Sequence, residues 1–424
     1  MFASDSYCRD MKKYSHTAVI TAVAAALLIM LACTGQDKPE GPVTLEWWQF
    51  WTDPAVKPVI EEMVTEYEAA HPGITVNLTD LTWANGHEKI VVAFSSGTAP
   101  DIVELGSDWI GEFAAAGQLA PLNDMIEDTA RLVGWKPAVY NDTIYACPWI
   151  LGTRVLFINR SLMEQAGLTD LDIPVNWDKF REVCYKIDSI GDDIYGFGSN
   201  AAEKHRLYKK FLPFFWSAGG NLFSEDFKYV TIAGNIGYKA LMLYKELSDS
   251  CSMIDTQRRL EDAFLAGKIG IIISGDWLLR RIKNEKPGLD FVTTLMPGPV
   301  YPGSSFMGGE YLAISGSCPY PGEAMAFIEY IINAENQIRF AKANYSASPS
   351  NKEAARDEFF KEDINLQTFI KQINISKMPP AIPEWVYIEN IIEEKLEQVL
   401  FEDAPPAQSL YDAKLEIEKL IHDK

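Results

Sequence analysis

The first hundred residues after position 42 alternate between two hydrophobic patterns. Residues 43–50 alternate between apolar and polar side chains closely enough to predict a strand. The next segment has apolar side chains at the i, i+3, i+4 and i+7 spacing of a helix: Ile60, Met63, Val64 and Tyr67. We predict that this amphipathic helix has Asp53 as its N-cap and Pro54 at its first position, and that it ends at 71–73.

The strand–helix alternation repeats twice more, which predicts a parallel sheet covered by helices. The further predicted strands are 74–79, 102–105, 154–158, 269–274, 291–295 and 311–314. The further predicted helices are 86–96, 108–116, 161–166, 177–187, 236–248, 256–265, 323–333 and 385–401. The fold class that we predict is α/β, and two α/β lobes fit the length of 424 residues better than one.

The N-terminus has the pattern of an export signal. Two lysines precede an apolar run at 18–31, which is too short to cross a bilayer as a helix, since that needs about 20 residues. The run ends in Met-Leu-Ala-Cys at 30–33, which resembles a bacterial lipobox. That resemblance implies a signal peptide at 1–32, a diacylated Cys33 that anchors the chain to a membrane, and a lipidated tether at 33–42. An ordinary cleaved signal is the alternative, and Met11 is a second candidate start.

Composition and charge exclude several classes of function. There are 38 Lys and Arg against 59 Asp and Glu, a net charge of −21, which argues against nucleic-acid binding. The apolar fraction of 47% argues against intrinsic disorder. The histidines and the cysteines Cys147, Cys184, Cys251 and Cys318 form no zinc-ligand spacing, so we predict neither metal nor cofactor. Whether these cysteines pair is left open.

The candidate chemistry lies where the first three strands end. Each of the three following loops carries a tryptophan and a polar partner: Trp51 with Asp53, Trp83 with Asn85, and Trp109 with Ser107 and Asp108. Ligands of open α/β sheets bind at the carboxyl ends of the strands. Aromatic faces with a few placed polar groups suit a sugar, whose C–H faces lie on rings and whose hydroxyls need donors and acceptors. Taken singly, these residues could equally be helix caps and core.

Enzyme motifs are absent from the sequence. It contains no GxSxG, GxxxxGK[ST] or GxGxxG pattern, so neither a nucleophile elbow nor a phosphate-binding loop is predicted. Glycoside hydrolysis needs only two carboxylates, which the sequence cannot exclude. A secreted glycosidase therefore remains the rival class.

Several segments together resemble the extracellular solute-binding proteins of family 1, the sugar receptors of bacterial ABC importers. The segments are Gly97–Val103, Ala116–Leu119, Phe157–Arg160 with Ala166–Leu168, Trp177–Phe180, Phe264–Gly270 with Gly275–Trp277, Met296–Pro299 and Gly308–Ile314. The resemblance implies a maltose-binding-protein-like fold of two α/β lobes that close on a ligand by a hinge motion. It implies lobe one at 43–148 and 293–338, and lobe two at 149–292 and 339–424.

The same resemblance implies the site and the partners. It places a group of further candidates at or near the cleft: Trp149, Trp216, Trp277, Gly309, Glu310, Tyr311 and Trp385. It implies a monomer that binds a carbohydrate without catalysis and delivers it to the permease subunits of an ABC transporter. A non-sugar solute is the alternative ligand.

Overall fold

The computed structural model describes residues 41–200, 203, 206–225, 227–345 and 348–422. The predicted signal peptide, Cys33 and most of the tether lie outside these residues. The chain forms two compact units. In the described part of the smaller unit, residues 1–44 with 73–75, the Val43 amide donates to the Gly73 carbonyl at 2.7 Å. The larger unit, residues 45–72 and 76–424, contains nearly all of the strands and helices given below.

The described residues form strands and helices throughout. The strands are β1 (Val43–Gln49), β2 (Ile74–Asp80), β3 (Ile102–Gly106), β4 (Val139–Tyr140), β5 (Thr143–Ile144), β6 (Ala146–Thr153), β7 (Val155–Asn159), β8 (Tyr195–Asn200), β9 (Ser252–Asp255), β10 (Ile269–Ser274), β11 (Phe291–Thr294) and β12 (Met307–Ile314). The helices are α1 (Lys57–Ala70), α2 (Gly86–Ser96), α3 (Ile110–Ala115), α4 (Arg160–Gln165), α5 (Trp177–Asp188), α6 (Tyr208–Ser217), α7 (Asn235–Cys251), α8 (Gln257–Leu265), α9 (Trp277–Glu285), α10 (Pro321–Ile331), α11 (Ala334–Asn344), α12 (Glu358–Glu362), α13 (Ile364–Ile373), α14 (Trp385–Phe401) and α15 (Pro406–His422).

The first sheet has the strand order β2-β1-β3-β12-β6. β1 pairs with β3 in parallel, as predicted, but β12 runs antiparallel to both β3 and β6, so the sheet is mixed rather than parallel. β12 is also longer than predicted, because Gly308 and Gly309 pair with Gly152 and Leu151. A Cβ at Gly309 would lie 2.3 Å from the Ile150 carbonyl oxygen, so this close pairing requires glycine.

The second sheet has the strand order β11-β7-β10-β8-β9. β10 and β8 are parallel neighbours, and β7 runs antiparallel to β10 and β11. Its largest core packs helices α5, α6, α7 and α14 against the sheet through aromatic side chains that include Phe180, Phe197, Phe214 and Trp385. Residues 149–153 therefore belong to the first sheet and 293–294 to the second, while the predicted lobe limits remain predictions.

The first crossing between the two sheets consists of a single residue. β6 in the first sheet ends at Thr153 and β7 in the second begins at Val155, so Arg154 alone lies between them. A second crossing, residues 295–306, runs beside it. The Ser305 hydroxyl donates to the Arg154 carbonyl (2.7 Å), and the Thr153 hydroxyl donates to the Phe306 carbonyl (2.9 Å). Two crossings are thus fixed to each other where the chain changes sheets.

The start of the first helix was predicted wrongly. α1 begins at Lys57 with Val56 as its N-cap residue, not at Asp53. The Asp53 carboxylate instead accepts from the Ala55 amide (2.9 Å), and its carbonyl accepts from the Val56 amide (3.0 Å). Asp53 therefore closes a turn ahead of the helix, which leaves its second carboxylate oxygen available for another partner.

Candidate ligand-binding site

The loops at the end of the first sheet form an aromatic group. The Phe50 ring stacks on Trp83 at 4.2 Å and 20°, and Trp109 is tilted against both rings, at 5.9 Å from Phe50 and 5.5 Å from Trp83. Trp109 is 7% exposed, whereas Trp83 is 45% exposed. Trp109 is therefore a core residue that supports Trp83, and Trp83 presents an open ring face.

The polar partners in these loops have different surroundings. The exposed Asn85 amide oxygen accepts from the Thr82 hydroxyl at 2.8 Å, so it is used within its own turn. The second oxygen of Asp53 lies 3.0 Å from Nη2 of Arg280, on α9 beside the second sheet. Asp53 therefore joins elements of the two lobes.

Two predicted tryptophans of the first lobe pack on each other. Trp51 meets Phe340 edge-on at 4.8 Å and Trp149 at 6.4 Å. Trp149 is almost fully buried and also packs on Trp47 at 5.8 Å. The Trp51 side chain also hydrogen-bonds the buried Glu104 carboxylate. Trp51 is therefore held by the first lobe's own residues, and Trp149 lies in the core.

Asp108 joins the lobes at a second place. Its carboxylate accepts from the Lys209 ammonium at 3.0 Å and from the Tyr208 hydroxyl at 3.3 Å, both at the start of α6. The neighbouring Ser107 is buried, and its amide donates to the Gly309 carbonyl at 2.9 Å. Burial raises the pKa of Tyr208 well above its ordinary value, and nearby carboxylates raise it further. Tyr208 is therefore a hydrogen-bond donor at any physiological pH.

Glu310 lies beside this pair, because β12 places it opposite Gly106 of β3. Burial raises the pKa of Glu310 to about 8, the negative charge of Asp276 raises it further, and the positive charge of Arg154 opposes both. Burial also lowers the pKa of Arg154 to about 10. The following residue, Tyr311, is buried and donates its hydroxyl to the Gly134 carbonyl at 2.6 Å. Glu310 therefore lies near the charged groups of Asp108, Asp276 and Arg154, and Tyr311 fixes the loop at Gly134.

Trp277 is fixed on both sides. Its indole N–H donates to Glu261 at 2.7 Å, and the Arg154 guanidinium lies 4.7 Å from its ring centroid, a cation–π contact. A Cβ at Gly275 would lie 2.0 Å from the Trp277 ring, so only glycine lets the ring fold back there. The ring thus positions Arg154 at the junction of the two sheets.

A cavity with a volume of about 1120 Å³ opens between the lobes. Its wall combines Gly134–Lys136 and Met307 from the side of the first sheet with residues of two segments from the side of the second, one between Phe215 and Ile236 and one between Ser376 and Trp385. Two of the predicted residues, Trp216 and Trp385, line it. Trp216 stacks on Phe306 at 6.0 Å and 13°. The buried indole N–H of Trp385 has no acceptor among the described residues.

Several residues of this region were not predicted. They are Lys136, Arg154, Tyr208, Lys209, Arg280 and Lys377. All but Tyr208 are basic, and no local pattern singled them out among 38 Lys and Arg. They meet their partners only through contacts across the fold.

Other kinds of site find no support in the described part of the chain. No group of three or more His, Cys, Asp or Glu side chains there could hold a metal ion. No helix within the described ranges is long and apolar enough to cross a bilayer. Cys147, Cys184 and Cys251 are buried free thiols, and Cys318 is a partly buried one.

Two α/β lobes with a cavity between them define a periplasmic-binding-protein-like fold of type II. An ABC transporter solute-binding protein of Thermotoga lettingae, solved with α-D-tagatose, matches with a TM-score of 0.80 at 23% identity, covering 89% of this chain and 99% of that one. The GacH receptor of Streptomyces glaucescens, solved unliganded and with acarbose, matches with a TM-score of 0.80 at 21% identity, covering 91% and 100%.

The sequence comparison identifies the family. Residues 52–338 match the family described as bacterial extracellular solute-binding protein, and the chain belongs to that family. A maltooligosaccharide ABC transporter solute-binding lipoprotein of Streptococcus pneumoniae is 25% identical over 392 residues, covering 87% of this chain and 88% of that one. The resemblance read from the sequence motifs is therefore confirmed.

Proposed function

We propose that this chain captures a carbohydrate in the cavity between its lobes and delivers it to the permease of an ABC importer. The observation that carries the proposal is the buried, unpartnered indole N–H of Trp385 in an aromatic wall. The aromatic members of that wall are Trp135, Phe215, Trp216, Phe223, Phe227 and Trp385. Rings accept the C–H faces of a sugar, and an unused N–H donates to a hydroxyl.

The size of the cavity supports a ligand of more than one sugar ring. Sites for small molecules commonly measure about 300–1,000 Å³, and this cavity reaches about 1120 Å³. The pneumococcal relative, named for maltooligosaccharide transport, and the acarbose complex of the GacH receptor support the same class of ligand. An oligosaccharide is therefore the ligand to test first.

Tryptophan fluorescence and thermal melting of the full chain against neutral mono- and oligosaccharides test this proposal, with product analysis of every ligand that binds. A bound sugar raises the melting temperature because it stabilises only the folded state. Recovery of the sugar unchanged supports a receptor, whereas a cleaved sugar supports a glycosidase. Failure of every saccharide to bind contradicts the carbohydrate proposal.

Two substitutions connect binding to the cavity. Trp385→Phe removes the N–H and keeps an aromatic ring, so affinity should fall about two- to tenfold, the usual net value of one hydrogen bond. Trp177→Phe is the matched control, because the indole N–H of Trp177 is also buried without an acceptor among the described residues, but Trp177 lies outside the lining of the cavity. Equal affinities of both variants and the unchanged chain would place the sugar elsewhere.

The location of the chain is the second part of the proposal. We infer that residues 1–32 are removed and that Cys33 carries the lipid, in line with the lipobox-like Met30–Cys33 and the extracellular family. Export of the chain in a bacterial host, followed by fractionation and mass spectrometry of the N-terminal peptide, tests this. Cys33→Ala should release the protein from the membrane fraction. An unmodified cysteine in the mature protein would contradict it.

A further inference from the structure

Two lysines approach the cavity from opposite lobes. Lys136 belongs to the turn of 3-10 helix at Lys136–Ala138, close to the first sheet. Lys377 follows α13, and its backbone is fixed to the second crossing. Its amide donates to the Ser305 carbonyl at 2.9 Å, and its carbonyl accepts from the Met307 amide at 2.8 Å. Both side chains line the same cavity, so their charges share one space.

Within the described part of the chain, neither lysine is neutralised by a carboxylate. No ion pair of the described residues includes Lys136 or Lys377, although that part of the chain has many ion pairs. The Lys377 ammonium donates to the Gly220 carbonyl (2.8 Å) and to the Asn221 amide oxygen (2.5 Å). An ammonium has three donors, so one remains for a ligand.

Among the described residues that line the cavity, the lysines outnumber the acidic side chains. Within that described lining, Glu225 is the one acidic side chain, against the two lysines, while the full chain carries −21. Burial lowers the pKa of Lys377, and the positive charge of Lys136 lowers it further. The two ammonium groups therefore repel each other, and both lie at the same cavity.

We propose that the lysine pair, Lys136 and Lys377, binds an anionic group, a carboxylate or a phosphate, carried by the saccharide. An anion between the two ammonium groups removes their repulsion and contacts both lobes at once. The aromatic wall takes the remainder of the molecule. The inference rests on the proposed carbohydrate function and specifies which saccharides the cavity prefers.

The test uses calorimetry of the full chain with a panel in which every neutral oligosaccharide is paired with its uronate and its 6-phosphate. At low salt, at least one acidic member should bind at least tenfold tighter than its neutral counterpart. The preference should shrink at 0.5 M salt, where charges are screened within about 4 Å. A stronger uronate or a stronger 6-phosphate identifies which anion the pair takes.

Variants show whether the lysine pair is the cause. Lys136→Met and Lys377→Met should each abolish the acidic preference, measured for each variant as the ratio of its affinities for the acidic and the neutral member of a pair. Lys89→Met, an exposed lysine of α2 outside the cavity, is the control and should leave that ratio unchanged. A preference that survives both variants overturns the inference.

The two proposals fail in different ways. Neutral members that bind as tightly as acidic ones, or tighter, overturn the anionic site and leave the carbohydrate function standing. If no member of the panel binds, the carbohydrate function and the anionic site are both wrong.

Discussion

Two ion pairs between the side of the first sheet and the side of the second should differ in strength, because one is buried more deeply than the other. Asp108 and Lys209 are 3.0 Å apart with side chains 10% and 15% exposed. Asp53 and Arg280 are also 3.0 Å apart, but their side chains are 38% and 18% exposed. The distance between the charged atoms is therefore the same in the two pairs, and the pairs differ in how far their side chains are exposed to water.

The magnitudes follow from that difference. Two unit charges about 4 Å apart attract by about 4 kcal/mol at an effective dielectric of 20, and removing one partner of a buried pair costs about 3–5 kcal/mol because the other charge is left uncompensated. Exposed pairs contribute about 0.2–1 kcal/mol. We expect a coupling free energy of about 2–4 kcal/mol for Asp108 with Lys209 and below about 1 kcal/mol for Asp53 with Arg280.

Double-mutant cycles measure these couplings. Asp108→Asn removes the charge and keeps an acceptor for Tyr208, and Lys209→Met keeps the length of the chain. Asp53→Asn with Arg280→Met forms the matched cycle. The free energy of unfolding in urea is compared for each single and double variant, at low and high salt. Equal couplings for the two pairs, or a value below about 0.5 kcal/mol for Asp108 with Lys209, would refute the argument from depth.

Three further predictions concern single positions. Gly275→Ala should lower the free energy of unfolding by about 1–3 kcal/mol, because its Cβ collides with the Trp277 ring, whereas Gly288→Ala, where a Cβ meets open space, should leave the melting temperature nearly unchanged. Because burial raises the pKa of Glu310 from 4.5 to about 8, the folded chain holds a proton that the unfolded chain releases, so stability should fall as the pH rises from about 5 to 8. In urea unfolding, the free energy of unfolding of Glu310→Gln should rise relative to that of the wild type as the pH increases over that range, by at most about 1.4 kcal/mol per pH unit. Parallel pH profiles of the two proteins would contradict this. Burial raises the pKa of the Cys147 thiol to about 12, so iodoacetamide at pH 8 should label it only after unfolding, and rapid labelling of the native chain by mass spectrometry would argue against that burial.

Local patterns predicted those elements whose ends are marked in the chain itself. Helix α2 has the predicted bounds because Gly97, at φ 72°, ends it in the left-handed conformation that glycine adopts without strain. Helix α5 begins after Asn176, whose side chain accepts from the Lys179 amide as an N-cap. Helix α6 was missed, since Pro213 interrupts its pattern and yet lies inside the helix.

The candidate site was less predictable, because its contacts join distant parts of the chain. The motif resemblance led to Trp216 and Trp385, which line the cavity. The basic partners could not be predicted from local patterns, since Lys209 and Asp108 are 101 positions apart in the sequence. The sequence around a loop tryptophan such as Trp109 does not show whether its side chain faces a ligand or the core. Only the packing of the folded chain distinguishes these two positions.

Arg154 lies where the chain passes directly from the first sheet to the second. It is the single residue between β6 and β7, and its guanidinium lies against the Trp277 ring. If one lobe rotates about a hinge at this residue, each atom of the lobe moves in proportion to its distance from the hinge. The guanidinium therefore moves little, while groups further from this crossing separate. The contact between Arg154 and the Trp277 ring should therefore persist while the lobes open.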